Sequence, residues 1–95
     1  MIALEIYLEA HEGKEKDLEK AFLTYFAPAI KTMEGFKNVV MLKKRDAMRE
    51  YEINLFFETE KLRIKWVASY EHQMVFPKVA ECCARVSWVG FDVVE

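Results

Sequence analysis

Few residues of this 95-residue chain have the types and spacing that catalysis or metal binding requires. No Cys and His residues stand at metal-ligand spacing, no glycine-rich loop follows a strand, and no Ser-His-Asp or Cys-His set lies within a motif, so no metal site is expected. One side chain with acid-base potential remains: His72, one of two histidines, can act as a general base near neutral pH. The alternative interpretation is an ordinary surface histidine.

Apolar and aromatic side chains could form a second kind of functional site, a ligand cavity or an interface. Hydrophobic residues make up 53% of it and aromatic residues 14%, which is more apolar material than a domain of this size easily buries. The surplus predicts a buried interface, a ligand cavity or both. A cavity between helices and sheet would be lined by Leu4, Ile6, Phe22, Phe26, Leu55, Phe57, Trp66 and Phe76. The same residues, Trp66 above all, can instead form a packed core.

Three polar side chains add hydrogen-bonding groups. Tyr25 and Tyr70 can offer a phenol hydroxyl to a ligand, although helical tyrosines with a solvated hydroxyl are common. Asn54 stands in a predicted strand on the face opposite to Ile53 and Leu55, where it would most simply hydrogen-bond at a dimer interface.

Hydrophobic periodicity places these residues on six elements. Period-2 alternation indicates strands, and apolar spacing of three and four residues indicates helices. The predicted elements are a strand over 2–9, a helix over about 14–33, strands over 36–44 and 51–58, a helical region over 62–83 and a strand over 86–94. Pro28 is expected to kink the first helix or end it early, and the second helical region is expected to break near Ser69.

The order strand, helix, strand, strand, helix, strand predicts one α+β domain over 1–95, with ferredoxin-like βαββαβ topology and a four-stranded antiparallel sheet. Two helices cover only one face of such a sheet. The other face would carry Tyr7 and Phe56, together with either Val89, Phe91 and Val93 or the residues that alternate with them in the last strand. An uncovered apolar face is an interaction surface, and its pairing with a second copy predicts a two-fold homodimer.

Charge and cysteine content exclude several partners. The net charge is −2, and the basic residues are scattered or interleaved with acids, which argues against nucleic acid and anionic membranes. No apolar stretch is long enough for a membrane span. Cys82 and Cys83 are adjacent, and a disulfide between neighbours is strained. A cytoplasmic protein without structural disulfides is expected.

Several short segments, in the right order, resemble the antibiotic biosynthesis monooxygenase-like domains of the dimeric α/β-barrel superfamily. The carriers are Glu12-Gly13-Lys14, Met33-Glu34-Gly35-Phe36, Phe57-Glu58-Thr59, Trp66, and Ser69-Tyr70-Glu71-His72, which looks like the family's S-P-x-H stretch. The likeness covers nearly the whole chain. Phe57 stands where the family often has Trp, and this departure keeps an aromatic ring.

The resemblance implies addition of oxygen to a small aromatic or quinol substrate, with no metal, flavin or other cofactor. His72 would be the base and Trp66 would help to position the ring. The remaining substrate-binding residues would be Ile6, Phe22, Phe26, Asn54, Phe57, Tyr70 and Phe76. Because this fold also hosts proteins without catalysis, a dimeric small-ligand-binding or interaction domain is the competing hypothesis.

A haem-degrading branch of the superfamily provides a third hypothesis. That branch shows an Asn on the first strand, a Trp on the second helix and a His about ten residues later. The corresponding positions here are Ile6, Trp66 and Phe76, so only the Trp is kept. The haem-ligating imidazole is missing from its expected place, and no tight haem binding is expected.

Overall fold

Four strands form one antiparallel sheet with helices on one face, and a computed structural model describes all residues, 1–95. The elements are β1 (Ile2–Ala10), α1 (Glu15–Ala21), a π-helical turn (Phe22–Phe26), α2 (Ala27–Ile30), β2 (Phe36–Lys43), β3 (Glu50–Phe57), α3 (Glu60–Val67), α4 (Tyr70–Ala80) and β4 (Cys83–Asp92). The strand order is β2-β3-β1-β4. This is the ferredoxin-like α+β topology that the sequence predicts.

The pairing of the two central strands, β1 and β3, places their alternating apolar residues on one face of the sheet. Ile6 of β1 is paired with Ile53 of β3, and Leu4 with Leu55, so these side chains lie on the same face. That face packs against the helices and supplies much of a core of 18 buried residues, all of them hydrophobic. Burial of apolar side chains from both layers is therefore the main source of stability.

The first helix does not end at Pro28. Its backbone continues from α1 through the π-helical turn into α2, in which Pro28 lies in the first turn. A proline has no N–H to donate and its ring crowds the preceding turn, so a regular α-helix is disturbed there. The wider π turn directly before Pro28 accommodates that disturbance. It also keeps both Phe22 and Phe26 in the core, with ring centroids 5.9 Å apart.

The second helical region breaks at the predicted place. α3 ends at Val67, and the Ser69 hydroxyl then caps α4 by accepting a hydrogen bond from the His72 N–H at 3.1 Å. α4 is eleven residues long, contains Pro77 and ends at Ala80, three residues before the predicted end of the helical region. β4 consequently begins at Cys83 and ends at Asp92, rather than covering 86–94.

The two cysteines join α4 to β4 as free thiols. Cys82 lies in the turn after α4 and Cys83 begins β4. Their thiols donate to the carbonyl oxygens of Lys78 and Val79 at 3.5 and 3.4 Å. The thiols therefore help to finish the last turn of the helix.

The face of the sheet turned away from the helices, called the open face below, carries the apolar residues expected there. Tyr7, Phe56, Val89 and Phe91 belong to it by register, whereas Val93 follows the end of β4. None of the helices is long and apolar enough to cross a lipid bilayer.

Two glycines with left-handed backbone allow a matched test of the packing between β2 and α3. Gly13 and Gly35 have φ of +82° and +80°, so alanine at either position is strained by about 1 kcal/mol. A Cβ at Gly13 would meet nothing, but one at Gly35 would lie within the Leu62 side chain. Gly35→Ala is therefore expected to lower the free energy of unfolding by a further 1–3 kcal/mol or so relative to Gly13→Ala. Urea denaturation checks this, and equal losses would contradict the contact with Leu62.

Candidate functional site

Five aromatic rings, each in contact with the next, connect the first helix to α4. Phe22 stacks on Phe26, and the edge of Phe26 meets Trp66 at a centroid distance of 5.7 Å. Trp66 in turn meets His72 edge to face at 5.0 Å, and His72 stacks on Phe76 at 5.1 Å. The sequence-predicted pair of Trp66 and His72 is thus in direct contact. We call Trp66, His72 and Phe76 the aromatic triplet.

His72 occupies the first turn of α4, where the Ser69 cap fixes its backbone. Its imidazole is half-buried between the two other rings of the triplet and makes no hydrogen bond to another residue. Burial lowers the pKa of His72 below its ordinary value because the charged form loses hydration. The imidazole is therefore neutral at pH 7, with a nitrogen lone pair available to take a proton.

Trp66 is only 1% exposed, and Phe26 and His72 hold its indole from two sides. Phe76 is half-buried at the outer end of the triplet. The triplet therefore runs from the core to the surface, and a ligand would meet Phe76 and His72 before it meets Trp66.

The cavity expected between the helices and the sheet is filled by side chains. Its predicted lining residues pack against one another, and all except Phe76 are buried: Leu4, Ile6, Phe22, Phe26, Leu55, Phe57 and Trp66. The physical reason is size, because three large aromatic rings from the first helix and α3 occupy the space above the sheet. The expected open cavity is corrected to a packed core.

Two of the predicted ligand-binding residues lie apart from the triplet. Asn54 belongs to the open face of β3, on the other side of the sheet, and its Oδ1 is buried without a hydrogen-bond partner. Tyr70 begins α4 and is 73% exposed. Tyr25, the other tyrosine considered, lies on the first helix with the Lys78 ammonium 4.6 Å from its ring centre.

The clearest surface cleft lies at one end of the sheet and has a volume of about 660 Å³. Charged side chains on its rim are paired: Lys44 with Glu50 at 3.6 Å, and Arg85 with Glu9 at 3.7 Å. The hydroxyl of Tyr51 on its wall donates to Glu19 at 2.5 Å. Burial, reinforced by this hydrogen bond, raises the pKa of Tyr51, and the same hydrogen bond lowers the pKa of Glu19. Most charged side chains of this cleft are therefore paired within the chain, with Glu52 as the exception.

No group of three or more His, Cys, Asp or Glu side chains is arranged to hold a metal ion. Trp88 was missed as a candidate residue by the sequence analysis. Alternation in the last strand assigns its face, but only the tertiary structure shows that this large ring stays exposed.

Neither a family model nor a curated protein sequence matches the chain. Solved structures match it over almost its full length. The cofactor-independent oxygenase SnoaB from Streptomyces nogalater superimposes with a TM-score of 0.88 at 14% identity, covering 99% of this chain and 93% of that one. The chain therefore shares the fold of this oxygenase.

Two further structures support this assignment of fold. A proposed antibiotic biosynthesis monooxygenase from Nitrosomonas europaea gives a TM-score of 0.87 at 14% identity and covers 100% of both chains. Another from Bordetella bronchiseptica gives 0.86 at 21% identity, covering 99% of this chain and 98% of its own. The resemblance drawn from the sequence segments is confirmed at the level of the fold.

The lowered pKa of His72 predicts how stability depends on pH. Above the unfolded value of about 6.5, the imidazole is neutral in both states and contributes nothing. Below it, the unfolded chain takes up a proton that the folded chain resists, so the free energy of unfolding falls as the pH falls toward the folded pKa. His72→Gln should therefore lose less stability than the parent protein between pH 7.5 and 5.5.

Thermal unfolding at several pH values measures this difference. His11, the other histidine, is exposed in the turn after β1 and provides the control. His11→Gln removes an exposed imidazole and so controls for the loss of a histidine as such. Parallel curves for the His72→Gln variant and the parent protein would contradict the burial of a neutral imidazole.

Proposed function

We propose that this chain is a cofactor-independent monooxygenase acting on a small electron-rich aromatic compound, a phenol or quinol. The observation that carries the proposal is the imidazole of His72, which is neutral, half-buried and free of internal hydrogen bonds within the aromatic triplet. A base of this kind, beside apolar rings, suits removal of a phenolic proton.

The reaction needs only the substrate and molecular oxygen. A quinol and O₂ give a hydroxyquinone and water: one oxygen atom enters the ring, the other leaves as water, and the substrate supplies the electrons. His72 would accept the phenolic proton, which makes the substrate a stronger electron donor. Phe76 would shield one side of the anion that forms from water, and Trp66 would hold the imidazole in place.

The fold supports the proposal because SnoaB, which shares it, is named a cofactor-independent oxygenase. The packed interior limits where the reaction can occur. Since the helix-sheet space is filled, the substrate would bind at the surface end of the triplet, against Phe76 and His72. The unpaired thiols of Cys82 and Cys83 fit a reducing cytoplasm as the place of action.

The chain would work as a two-fold homodimer through the open face. Five large apolar residues of that face are substantially exposed in the single chain: Tyr7, Val40, Leu42, Val89 and Phe91. A second copy would remove them from water, and it would bring polar groups near Asn54, whose Oδ1 lacks a partner. Association would therefore stabilise a domain that is small for its apolar content.

A non-catalytic dimeric domain that binds a small ligand is the second candidate. The specific observation in its favour is the packed space between helices and sheet, which holds no internal cavity lined by the predicted residues. Such a domain would use the same fold without requiring a base. The oxygenase requires His72 as a base, whereas the binding domain does not.

Replacing an apolar residue of the open face by a charge should weaken the dimer. Phe91→Asp would bury an unpaired carboxylate, and the dissociation constant should rise by at least about tenfold. Ile64→Asp on the exposed surface of α3 is the control and should leave association unchanged. Sedimentation velocity at micromolar concentration measures both. A parent protein that sediments as a monomer of 11.2 kDa would refute the dimer.

Loss of the base should slow turnover without unfolding the protein. His72→Ala is expected to reduce oxygen uptake with quinols and polycyclic phenols by about a hundredfold, the usual contribution of a general base. His11→Ala is the control and should retain full activity. Trp66→Phe should reduce turnover while the fold persists, since an aromatic ring remains in the core.

Oxygen-electrode traces and circular dichroism of the same samples separate chemistry from folding. Unchanged uptake in the His72→Ala variant would remove His72 from the mechanism. No uptake by the well-folded parent protein with any compound of the panel would favour the non-catalytic candidate.

A further inference from the structure

Trp88 lies on the helix-facing side of the sheet but is not covered by the helices. Its β1 partner is Ile6, which in turn pairs with Ile53, so the three side chains share one row and one face. Ile6 and Ile53 are 6% and 0% exposed, whereas Trp88 is 65% exposed. The helical layer therefore leaves this part of β4, an edge strand, uncovered. A tryptophan left in water on a core-facing row is unusual and suggests a binding role.

Gly90 continues the same row and leaves space above the sheet. Its partner on β1 is Leu4, and a Cβ built on Gly90 would meet only Leu4 Cδ1, at 4.0 Å. A glycine within a strand allows a ligand to approach the backbone closely. Trp88, Gly90 and Leu4 thus form a shallow apolar ledge, with the indole at one side and the leucine beneath.

The ledge and His72 belong to two elements, β4 and α4, that one short turn joins. α4 packs on β4, and residues 81 and 82 form the turn that joins them, so the two elements run in opposite directions. His72 precedes Ala80 by about 12 Å of helix, and Trp88 follows Cys83 by about 16 Å of strand. The base and the exposed indole therefore occur at similar distances from the turn.

We propose that this ledge binds the flat face of the aromatic substrate and presents its hydroxyl to His72. The inference rests on the proposed function and specifies its binding residue and ligand shape. The indole offers a stacking surface, Gly90 permits close approach, and Leu4 supplies an apolar floor. Asp92, next on the row, is exposed and acidic, so the ledge selects a neutral ring system over an anionic one.

Binding of 1,8-dihydroxyanthraquinone, a flat tricyclic phenol, tests the ledge without requiring turnover. Calorimetric titration should show saturable binding to the parent protein. Trp88→Ala removes the stacking surface, and Gly90→Val fills the free space with a residue that strands accept. Each should weaken binding by at least tenfold. Leu23→Ala, which alters an exposed apolar residue of the first helix, is the matched control and should bind as the parent does.

The possible results distinguish a failure of the proposed ledge from a failure of the proposed oxygenase activity. Ledge-dependent binding without oxygen uptake would support the ledge and refute the activity. Quinol oxidation that is unchanged in the Trp88→Ala and Gly90→Val variants would refute the ledge and leave the activity standing. Absence of binding to the parent protein would also overturn the ledge. So would dissociation of the dimer by Trp88→Ala, because Trp88 would then be a subunit contact.

Discussion

The edge-to-face contact between Phe26 and Trp66 connects the two helical segments above the sheet, and the rest of the site depends on it. Phe26 reaches Trp66 from the π-helical turn of the first helix, and Trp66 then supports the imidazole of His72. Aromatic pairs in this geometry contribute about 0.5–1.5 kcal/mol beyond the burial of their surface. The position of the candidate base therefore depends on the packing of the core, so the proposed catalysis and the stability of the fold would depend on the same residues.

A packed interior also changes the kind of chemistry that this domain can support. Enzymes with an internal cavity surround the substrate, but here only one side of the aromatic triplet reaches the surface. Substrate bound there would remain partly hydrated, and the protein would stabilise an anion less strongly than a closed site does. Broad acceptance of ring systems would follow from such an open arrangement, because few contacts define the shape of the ligand.

Sequence patterns predict the parts of the structure that depend on local periodicity. The alternation of β1 and β3 assigns each side chain to a face, and Ser69 marks the start of α4 because its hydroxyl can cap a helix. The outcome at Pro28 depends on a competition between backbone strain and burial of Phe22 and Phe26, which periodicity does not describe. The order of elements follows the prediction, and the first helical region is disturbed before Pro28 but continues through the π-helical turn and α2 to Ile30.

The site was harder to predict because its features depend on tertiary packing. Trp66 and His72 were expected to cooperate, and the structure brings them together, yet residue types alone do not distinguish a lined cavity from a packed core. Asn54 was grouped with the ligand-binding residues, but it belongs to the opposite face of the sheet. The exposure of Trp88 follows from where the helical layer ends, and no sequence signal reports that boundary.

The thiols at the junction of α4 and β4 have a practical consequence for chemical labelling. Burial raises the pKa of Cys83 to about 11 and also raises that of Cys82. At neutral pH the reactive thiolate of Cys83 is therefore a fraction of roughly one in ten thousand. Maleimides and iodoacetamide require the thiolate, so both native cysteines should stay unmodified under mild conditions. A single cysteine introduced at an exposed position such as Met48 could then carry a fluorophore or spin label without removal of the native pair.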